Sequence, residues 1–520
     1  MRSILLPVFL AIMLMAPARA FAQTPAPRGN VQILMSRDTT FILSPVKADG
    51  TVDYVAALDA DRRKGIIPDN NAAILLVRAA PFLSPGSEDQ VYKQLEMEPP
   101  AATSQRFVEL DSFKPGSPAS APDANQQRQE MAAQLAKASN SPWTADQYPL
   151  IARWLAVNDH PLNQVVAAGM LPRFYVPLIY PSGSPVTTDA KPPRLEVLRA
   201  AAQALRARAM LKLGGGDLSS AATDVRAMHR LARLVGQGNL LSERMTAGGI
   251  EAMACEADCL MAGSKKLSRE TCRLELMAIS SLSPLPPLWE CVDKADRFGA
   301  LDITHICAHG NTARFAKTYL GLELPEGQEV QMDWNVILRM QNFWFDREVA
   351  LLRLADPAKR RKAADEFAAD LEVLKRWRQS EGEARLRELA AKDTRNSSEL
   401  RTEKSELFGK MLVTAFLTSP LPLVEFQNDK ATILDLDRVV LALELIKADK
   451  GHYPEKLEAL TPDYLATIPK DRFSDGSLIY RLEPKGYVLY SVGPNMKDDG
   501  GRTKGDGGDP PGDDIVVRMD

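Results

Sequence analysis

The residues best suited to bind a ligand lie in a segment rich in glycine and aspartate near the C-terminus, residues 493–514. Calcium takes roughly six to eight oxygen ligands from carboxylates and carbonyls, and glycine lets a backbone fold around the ion. The spacing is not that of an EF-hand, because no glutamate closes the segment. Lysine and arginine side chains in the same segment offer the alternative of a solvated loop that is neutralised without metal. The oxygen-bearing side chains are Asn495, Asp498, Asp499, Asp506, Asp509, Asp513 and Asp514.

A second group of candidate ligands is His305, Cys307 and His309. Imidazole and thiolate groups at tight spacing can bind zinc, but no second pair of ligands flanks these residues at the spacing of a zinc finger. Gly310 follows at once, which favours a helix that ends here with histidines near its C-terminus. The sequence therefore favours the structural interpretation over a zinc site.

The five cysteines all lie between Cys255 and Cys307. Met253–Met261 and Leu267–Ile279 are predicted to form two helices joined by a short turn. In an antiparallel hairpin, Cys259 and Cys272 would lie opposite each other, close enough for a disulfide. The alternative is that all five are small buried apolar residues in a helical core.

Motifs for catalysis are absent from the sequence. It contains no H-E-x-x-H, G-x-S-x-G, Walker or C-x-x-C motif. Pairs of acids occur throughout the chain and select no particular site. These observations favour a protein that is not an enzyme, although catalytic residues also assemble from distant positions in a fold.

The N-terminus has the pattern of a signal peptide over residues 1–22. Arg2 is followed by an apolar run from Ile4 to Met15, and Ala20-Phe21-Ala22 fits a cleavage site. We therefore expect a periplasmic or secreted protein without a membrane span after cleavage. The net charge of −3 and the lack of a basic patch argue against nucleic acid as a partner.

The order of predicted elements indicates a mainly α fold, with a multi-helix body and a small α+β C-terminal domain made of a helix plus a short antiparallel sheet. Residues 23–125 are expected to hold short helices and an irregular excursion, and residues 126–395 the helical body. Residues 396–430 are interpreted as a linker and residues 431–520 as the C-terminal domain. Within the body, Leu195–Leu213 and Asp217–Val235 are predicted to form a helical hairpin around three glycines.

The last ninety residues carry the strongest pattern. Ile433–Lys450 is predicted to form an amphipathic helix, with Gly451 at its end. The Asp475-Gly476 and Lys485-Gly486 turns bound predicted strands, and the chain closes with a third strand after Asp514. Between helix and strands come the motifs Gly451-His452-Tyr453-Pro454, Pro462-Asp463-Tyr464-Leu465 and Ile468-Pro469-Lys470-Asp471.

This arrangement resembles the globular head of the major pseudopilin of type II secretion systems. The resemblance covers about residues 431–520 and implies a calcium ion in the loop before the last strand. Of the implied ligands, Asp498 and Asp514 fit that pattern best, and the full set is Asn495, Asp498, Asp499, Asp513 and Asp514. The long apolar N-terminal helix with which pseudopilins polymerise is missing before this head, and the helical body is similar to a family of exported bacterial proteins of uncharacterised function.

These observations together predict an exported scaffold or protein-interaction protein with a calcium-supported C-terminal head, acting on a protein partner that the sequence does not identify. One alternative is a periplasmic hydrolase with its site between the helical body and the N-terminal region. Another is an accessory protein of a type II secretion-like system. Because the head has its own turns and apolar residues, a chain ending near Gln427 is expected to stay folded.

Overall fold

The computed structural model describes residues 31–101, 104–114, 124–180 and 190–519. The predicted signal peptide, residues 1–22, lies outside the described residues. The fold is mainly α-helical and ends in a small antiparallel sheet, which confirms the predicted fold class.

The first half of the described chain forms ten α-helices, and the three longest of them follow one another in the chain. Short 3-10 turns cover Pro68–Asn70 and Leu110–Ser112. The helices are α1 (Tyr54–Arg63), α2 (Ala72–Ala79), α3 (Glu88–Gln94), α4 (Ala124–Ala138), α5 (Pro149–Val157), α6 (Asp159–Ala168), α7 (Leu195–Gly214), α8 (Leu218–Val235), α9 (Leu241–Gly263) and α10 (Arg269–Ser280).

The second half adds eight helices and three strands among the described residues. The helices are α11 (Trp289–Cys291), α12 (Arg297–Ile306), α13 (Thr312–Phe315), α14 (Trp334–Leu352), α15 (Pro357–Trp377), α16 (Glu383–Ala390), α17 (Ser398–Phe416) and α18 (Leu421–Lys450). The strands are β1 (Ile479–Glu483), β2 (Gly486–Ser491) and β3 (Ile515–Met519). Single π-helical turns cover Val292–Asp296, Cys307–Asn311, Ala316–Leu320 and Arg378–Gly382, and 3-10 turns cover Gln328–Gln331 and Leu457–Leu460.

Helices α7, α8 and α9 form the centre of the body, and the predicted α7–α8 hairpin is confirmed. Asp217 caps α8 by accepting a hydrogen bond from the backbone N–H of Ser220 at 3.1 Å. A side chain at Gly214 would collide with the backbone carbonyl of Trp143, so glycine is required at this close approach. Alanines along the seam are buried, which lets the helix axes approach closely.

Helix α18 is one continuous helix that joins the body to the C-terminal sheet. The stretch 396–430 is therefore not an extended linker, because α17 and the first part of α18 occupy most of it. Pro420 and Pro422 lie at the start of α18, where a missing backbone N–H costs no hydrogen bond. The helix packs along α9 and α10, and the ring of Phe426 lies against Gly248 of α9.

The C-terminal sheet has the order β1-β2-β3, and both strand pairs are antiparallel. The central strand β2 is buried along its whole length. One face packs against α18, and the other is covered by the glycine- and aspartate-rich segment, since Gly501 lies beside Val488 and Tyr490. The sheet shares one hydrophobic cluster with Cys255, Cys272 and neighbouring apolar residues of the body.

Among the described residues, one helical stretch is long and apolar enough to cross a membrane by length and composition, Ser398–Lys450. In its most apolar window, 56% of the residues are buried inside the protein. Packing against the helical body accounts for its apolar character.

Candidate functional sites

The glycine- and aspartate-rich segment folds into a loop whose two ends meet at the base of β3. Carboxylate oxygens of Asp499, Asp513 and Asp514 lie within 4.8 Å of one another. A side chain at Gly493 would collide with the backbone carbonyl of Asp513, and Gly493 has a φ of +65°. Glycine is therefore needed where the loop closes.

Four of the five predicted calcium ligands lie around this point. Asn495 donates a hydrogen bond from its side-chain amide to Asp499 at 2.9 Å, and its backbone N–H donates to Asp513 at 3.1 Å. Asp498 points elsewhere, because one of its carboxylate oxygens accepts hydrogen bonds from the Tyr490 hydroxyl at 2.9 Å and from Gly500 N–H. The structure therefore brings together Asn495, Asp499, Asp513 and Asp514 without Asp498.

The carboxylates of this loop repel one another. Burial raises the pKa of Asp513 and of Asp514 above the usual aspartate value, and the neighbouring Asp499 raises both pKa values further. Oδ1 of Asp513 has no hydrogen-bond partner among the described residues. A bound divalent cation would compensate this repulsion.

All five cysteines are free thiols, so the predicted disulfide between Cys259 and Cys272 is absent. The hairpin geometry behind that prediction does not occur, because α9 and α10 both pack onto α18 rather than mainly onto each other. Cys259 faces Asp437 of α18, with 4.0 Å between Sγ and Oδ1. Cys272 is buried in the hydrophobic cluster between α10 and α18.

The residues His305, Cys307 and His309 point in different directions. The His305 ring packs edge-on against Tyr54, whereas Cys307 is buried in a separate hydrophobic cluster. Nδ1 of His309 lies 2.7 Å from the backbone carbonyl of His305. The helix kinks at Gly310 instead of ending there, since a π-helical turn continues into α13.

His305 gives a testable pH dependence of stability. Burial lowers its pKa to about 3, with a further contribution from the nearby charges of His309 and Lys47, whereas Asp49 opposes the shift. An unfolded histidine has a pKa of about 6.5, so as the pH falls below that value the unfolded chain takes up a proton that the folded chain excludes. This contribution lowers the free energy of unfolding by up to about 1.4 kcal/mol per pH unit between pH 6.5 and pH 3.

The expected result is that His305→Leu loses stability less steeply than the parent protein as the pH falls from 7 to 4. Urea unfolding followed by circular dichroism at several pH values measures the two slopes. His160→Gln is the matched control, because His160 is exposed, and it should retain the parent slope. Parallel slopes for the parent and His305→Leu would show that His305 is protonated in the folded protein.

A second cluster of polar residues lies in the interior, where α8, α9 and α18 meet. His229, Glu251, Asp258 and Asp437 are each only 1% exposed. Nδ1 of His229 lies 3.0 Å from Glu251, and its Nε2 lies 2.8 Å from Asp258. Ligand atoms of His229, Asp258 and Asp437 lie within 4.8 Å of one another, and so do those of His229, Glu251 and Cys255.

The carboxylates of this cluster perturb one another strongly. Although burial lowers the pKa of His229, Glu251 and Asp258 raise it to about 10. Burial raises the pKa of Asp437 well above its usual value, and the negative charge of Asp258 adds to that shift. Three acids and one histidine therefore lie together in the buried interior.

Sequence reasoning missed the interior cluster because pairs of acids occur throughout the chain and indicate no particular site. The available signal was spacing: Glu251, Cys255 and Asp258 recur at intervals of four and three residues, which places them on one face of α9. His229 lies in an alanine-rich stretch of α8, and Asp437 in an apolar stretch of α18. Polar residues on an otherwise apolar, buried helix face indicate either a hydrogen-bond network or a ligand-binding site.

A surface hollow lies between the body and α3, in the region of the hydrolase alternative. Its lining includes Arg63, Asn71, Glu96 and Tyr175. The Tyr175 hydroxyl donates a hydrogen bond to Asp59 at 2.8 Å. Among the described residues, the lining contains no serine, cysteine or histidine that could act as a nucleophile with a base.

A comparison with known protein families, curated proteins and solved structures found no match to this chain. The likeness of the C-terminal domain to a pseudopilin head therefore rests on the sequence motifs alone.

Proposed function

We propose that this protein is an exported, non-enzymatic scaffold that acts through protein contacts in the periplasm or outside the cell and whose C-terminal sheet is stabilised by calcium. The observation that carries the proposal is the convergence of Asp499, Asp513 and Asp514 at the base of β3. Carboxylate oxygens are the ligands that calcium prefers, and a loop with several glycines can supply carbonyl oxygens as well.

Calcium bound by Asp499, Asp513 and Asp514 stabilises the loop that packs on the sheet. Asp513 and Asp514 directly precede β3, and the loop between them and Gly493 covers the outer face of β2. A cation that holds Asp499 to Asp513 and Asp514 fixes the two ends of the loop. The loop then presents a defined surface to a partner.

The expected result is that calcium raises the melting temperature of the full-length protein and that a chelator reverses the increase. Binding to the folded state alone stabilises by about 2.7 kcal/mol when free calcium is a hundredfold above the dissociation constant. Asp513→Asn should abolish the response. In the absence of calcium this variant should melt no lower than the parent, because the substitution removes a repulsive charge.

Asp509→Asn is the matched control, since Asp509 is an exposed residue of the same loop outside the three-carboxylate cluster. It should retain the response to calcium. A melting temperature that ignores both calcium and chelator in the parent protein would falsify the calcium part of the proposal.

The scaffold part is tested by affinity capture from the native cell envelope with and without calcium. The parent protein should retain one or more defined proteins in calcium and release them on chelation. Asp513→Asn should capture them weakly under both conditions, and Asp509→Asn should behave as the parent does. Turnover of a hydrolase substrate by the purified protein, in place of calcium-dependent capture, would favour the enzymatic alternative.

A further inference from the structure

The interior cluster between α8, α9 and α18 has the composition of a metal site. The α8 side presents Arg226, His229 and Arg233, and α9 presents Glu251, Cys255, Asp258 and Cys259. Glu275 of α10 pairs with Arg226 at 2.5 Å, and Asp437 comes from α18. Glu275 and Arg226 neutralise each other. The remaining charge is carried by Glu251, Asp258, Asp437 and Arg233, together with His229.

We propose that His229, Asp258 and Asp437 provide three ligands to a divalent first-row transition-metal ion such as Zn²⁺, whose binding stabilises the fold. One ring nitrogen of the histidine and one oxygen from each aspartate supply three ligand atoms that already lie within 4.8 Å of one another. Imidazole and carboxylate groups are common ligands of zinc.

The orientation of His229 matches that of a metal-bound imidazole. Metal-binding histidines usually donate their second ring N–H to a carboxylate, which fixes the ring. Here Nδ1 lies 3.0 Å from Glu251, and Glu251 also pairs with Arg233. Nε2 is then directed at Asp258 at 2.8 Å. Ligand atoms around a tetrahedral zinc ion lie about 3.3 Å apart. The distance between Nε2 of His229 and the Asp258 carboxylate therefore has to grow by only about half an ångström.

A second observation is the orphaned oxygen of Asp437. Its Oδ2 has no hydrogen-bond partner among the described residues, although the side chain is only 1% exposed. Buried carboxylate oxygens nearly always have a partner, and here only Oδ1 faces one, the Cys259 thiol at 4.0 Å. A cation between Asp437, Asp258 and His229 provides that partner.

A divalent cation satisfies the charge balance of the cluster. With neutral His229, the three carboxylates of Glu251, Asp258 and Asp437 carry three negative charges against the single positive charge of Arg233. A divalent cation brings the sum to zero. Without it, the interior reaches neutrality only if His229 is protonated and one carboxyl group is protonated as well.

The expected result is that full-length protein, unfolded in guanidinium with a chelator and refolded with Zn²⁺, retains one equivalent of zinc after gel filtration, measured by mass spectrometry of the metal. It should melt higher than protein refolded without metal. Refolding with Co²⁺ should give the visible absorption bands of a low-coordinate nitrogen and oxygen site. Protein that retains no metal, gives no such bands and melts at the same temperature either way would overturn the proposal.

Asp437→Asn distinguishes a metal site from a metal-free network in which Asp437 is protonated. If Asp437 is a ligand, the variant loses zinc and its stabilisation. If Asp437 is instead a neutral carboxyl group, asparagine mimics it and the melting temperature stays unchanged or rises, which contradicts the proposal. Asp513→Asn, in the surface loop, is the matched control and should retain the zinc. Should Asp437→Asn fail to fold, the zinc content and cobalt spectrum of the parent protein decide.

Discussion

A chain that ends at Gln427 is expected to lose the fold of its body as well as the sheet. This reverses the expectation from sequence, because α18 contributes to the same hydrophobic cluster as α9 and α10. Full burial of one aliphatic side chain stabilises by about 1.5–3 kcal/mol, so the loss exceeds about 10 kcal/mol, comparable with the whole stability of a typical protein. The side chains removed from the cluster by this truncation include Leu434, Leu436, Val439, Val440, Leu441, Leu443, Leu445 and Ile446.

Circular dichroism and gel filtration measure the effect of this truncation. We expect aggregation and a loss of helix signal larger than the deleted helix accounts for. A chain ending at Lys450, which retains α18, is the matched comparison and should keep a helical body with a lower melting temperature. If the chain ending at Gln427 instead melts cooperatively as a monomer, the C-terminal domain has a core of its own.

Arg62→Met is expected to destabilise the protein by about 3–5 kcal/mol, because it leaves the carboxylate of Glu243 buried and unpaired. The guanidinium of Arg62 donates two hydrogen bonds to Glu243, at 2.7 and 2.9 Å, and a third to the carbonyl of Val176 at 3.2 Å. The exposed fractions of the two side chains are 3% and 0%. The same carboxylate accepts the backbone N–H of Leu240 at the start of α9.

Urea unfolding of the single and double variants measures this effect. Arg62→Met combined with Glu243→Gln should recover part of the loss, since the uncompensated charge is gone. Arg395→Met breaks an ion pair with Asp393 in which both side chains are largely exposed, and it should leave the free energy of unfolding nearly unchanged. Equal losses for Arg62→Met and Arg395→Met would show that the Arg62 pair is solvated.

Turn and cap residues in the sequence were sufficient to predict the helices and strands that begin or end at them. Asp217 after three glycines predicted the α7–α8 turn, because the cap and the turn are made by neighbouring residues. Asp475-Gly476 and Lys485-Gly486 likewise predicted the turns at the starts of the first two strands, which begin at Ile479 and Gly486. The acids of the surface loop were identifiable because they are close together in the chain.

Features that depend on distant contacts were not predictable. Helix α18 buries Asp437, Leu441 and Ala442 as well as the residues of its predicted amphipathic face, so the contacts on its other sides do not follow from its periodicity. The prolines at 420 and 422 are compatible with either a break or a helix start, and only packing decides between them. The interior cluster joins three helices, and no local spacing relates His229 to Asp437.

The contact between α9 and α18 also determines the order in which the polypeptide can fold. Cys259 and Asp437 touch although 178 positions separate them in the chain. Contacts of such long range form slowly, because a large loop must close before they contribute. A chain synthesised from its N-terminus exposes one side of α9 until about its last fifth has been made. The nascent protein therefore needs shielding from aggregation up to the end of its synthesis.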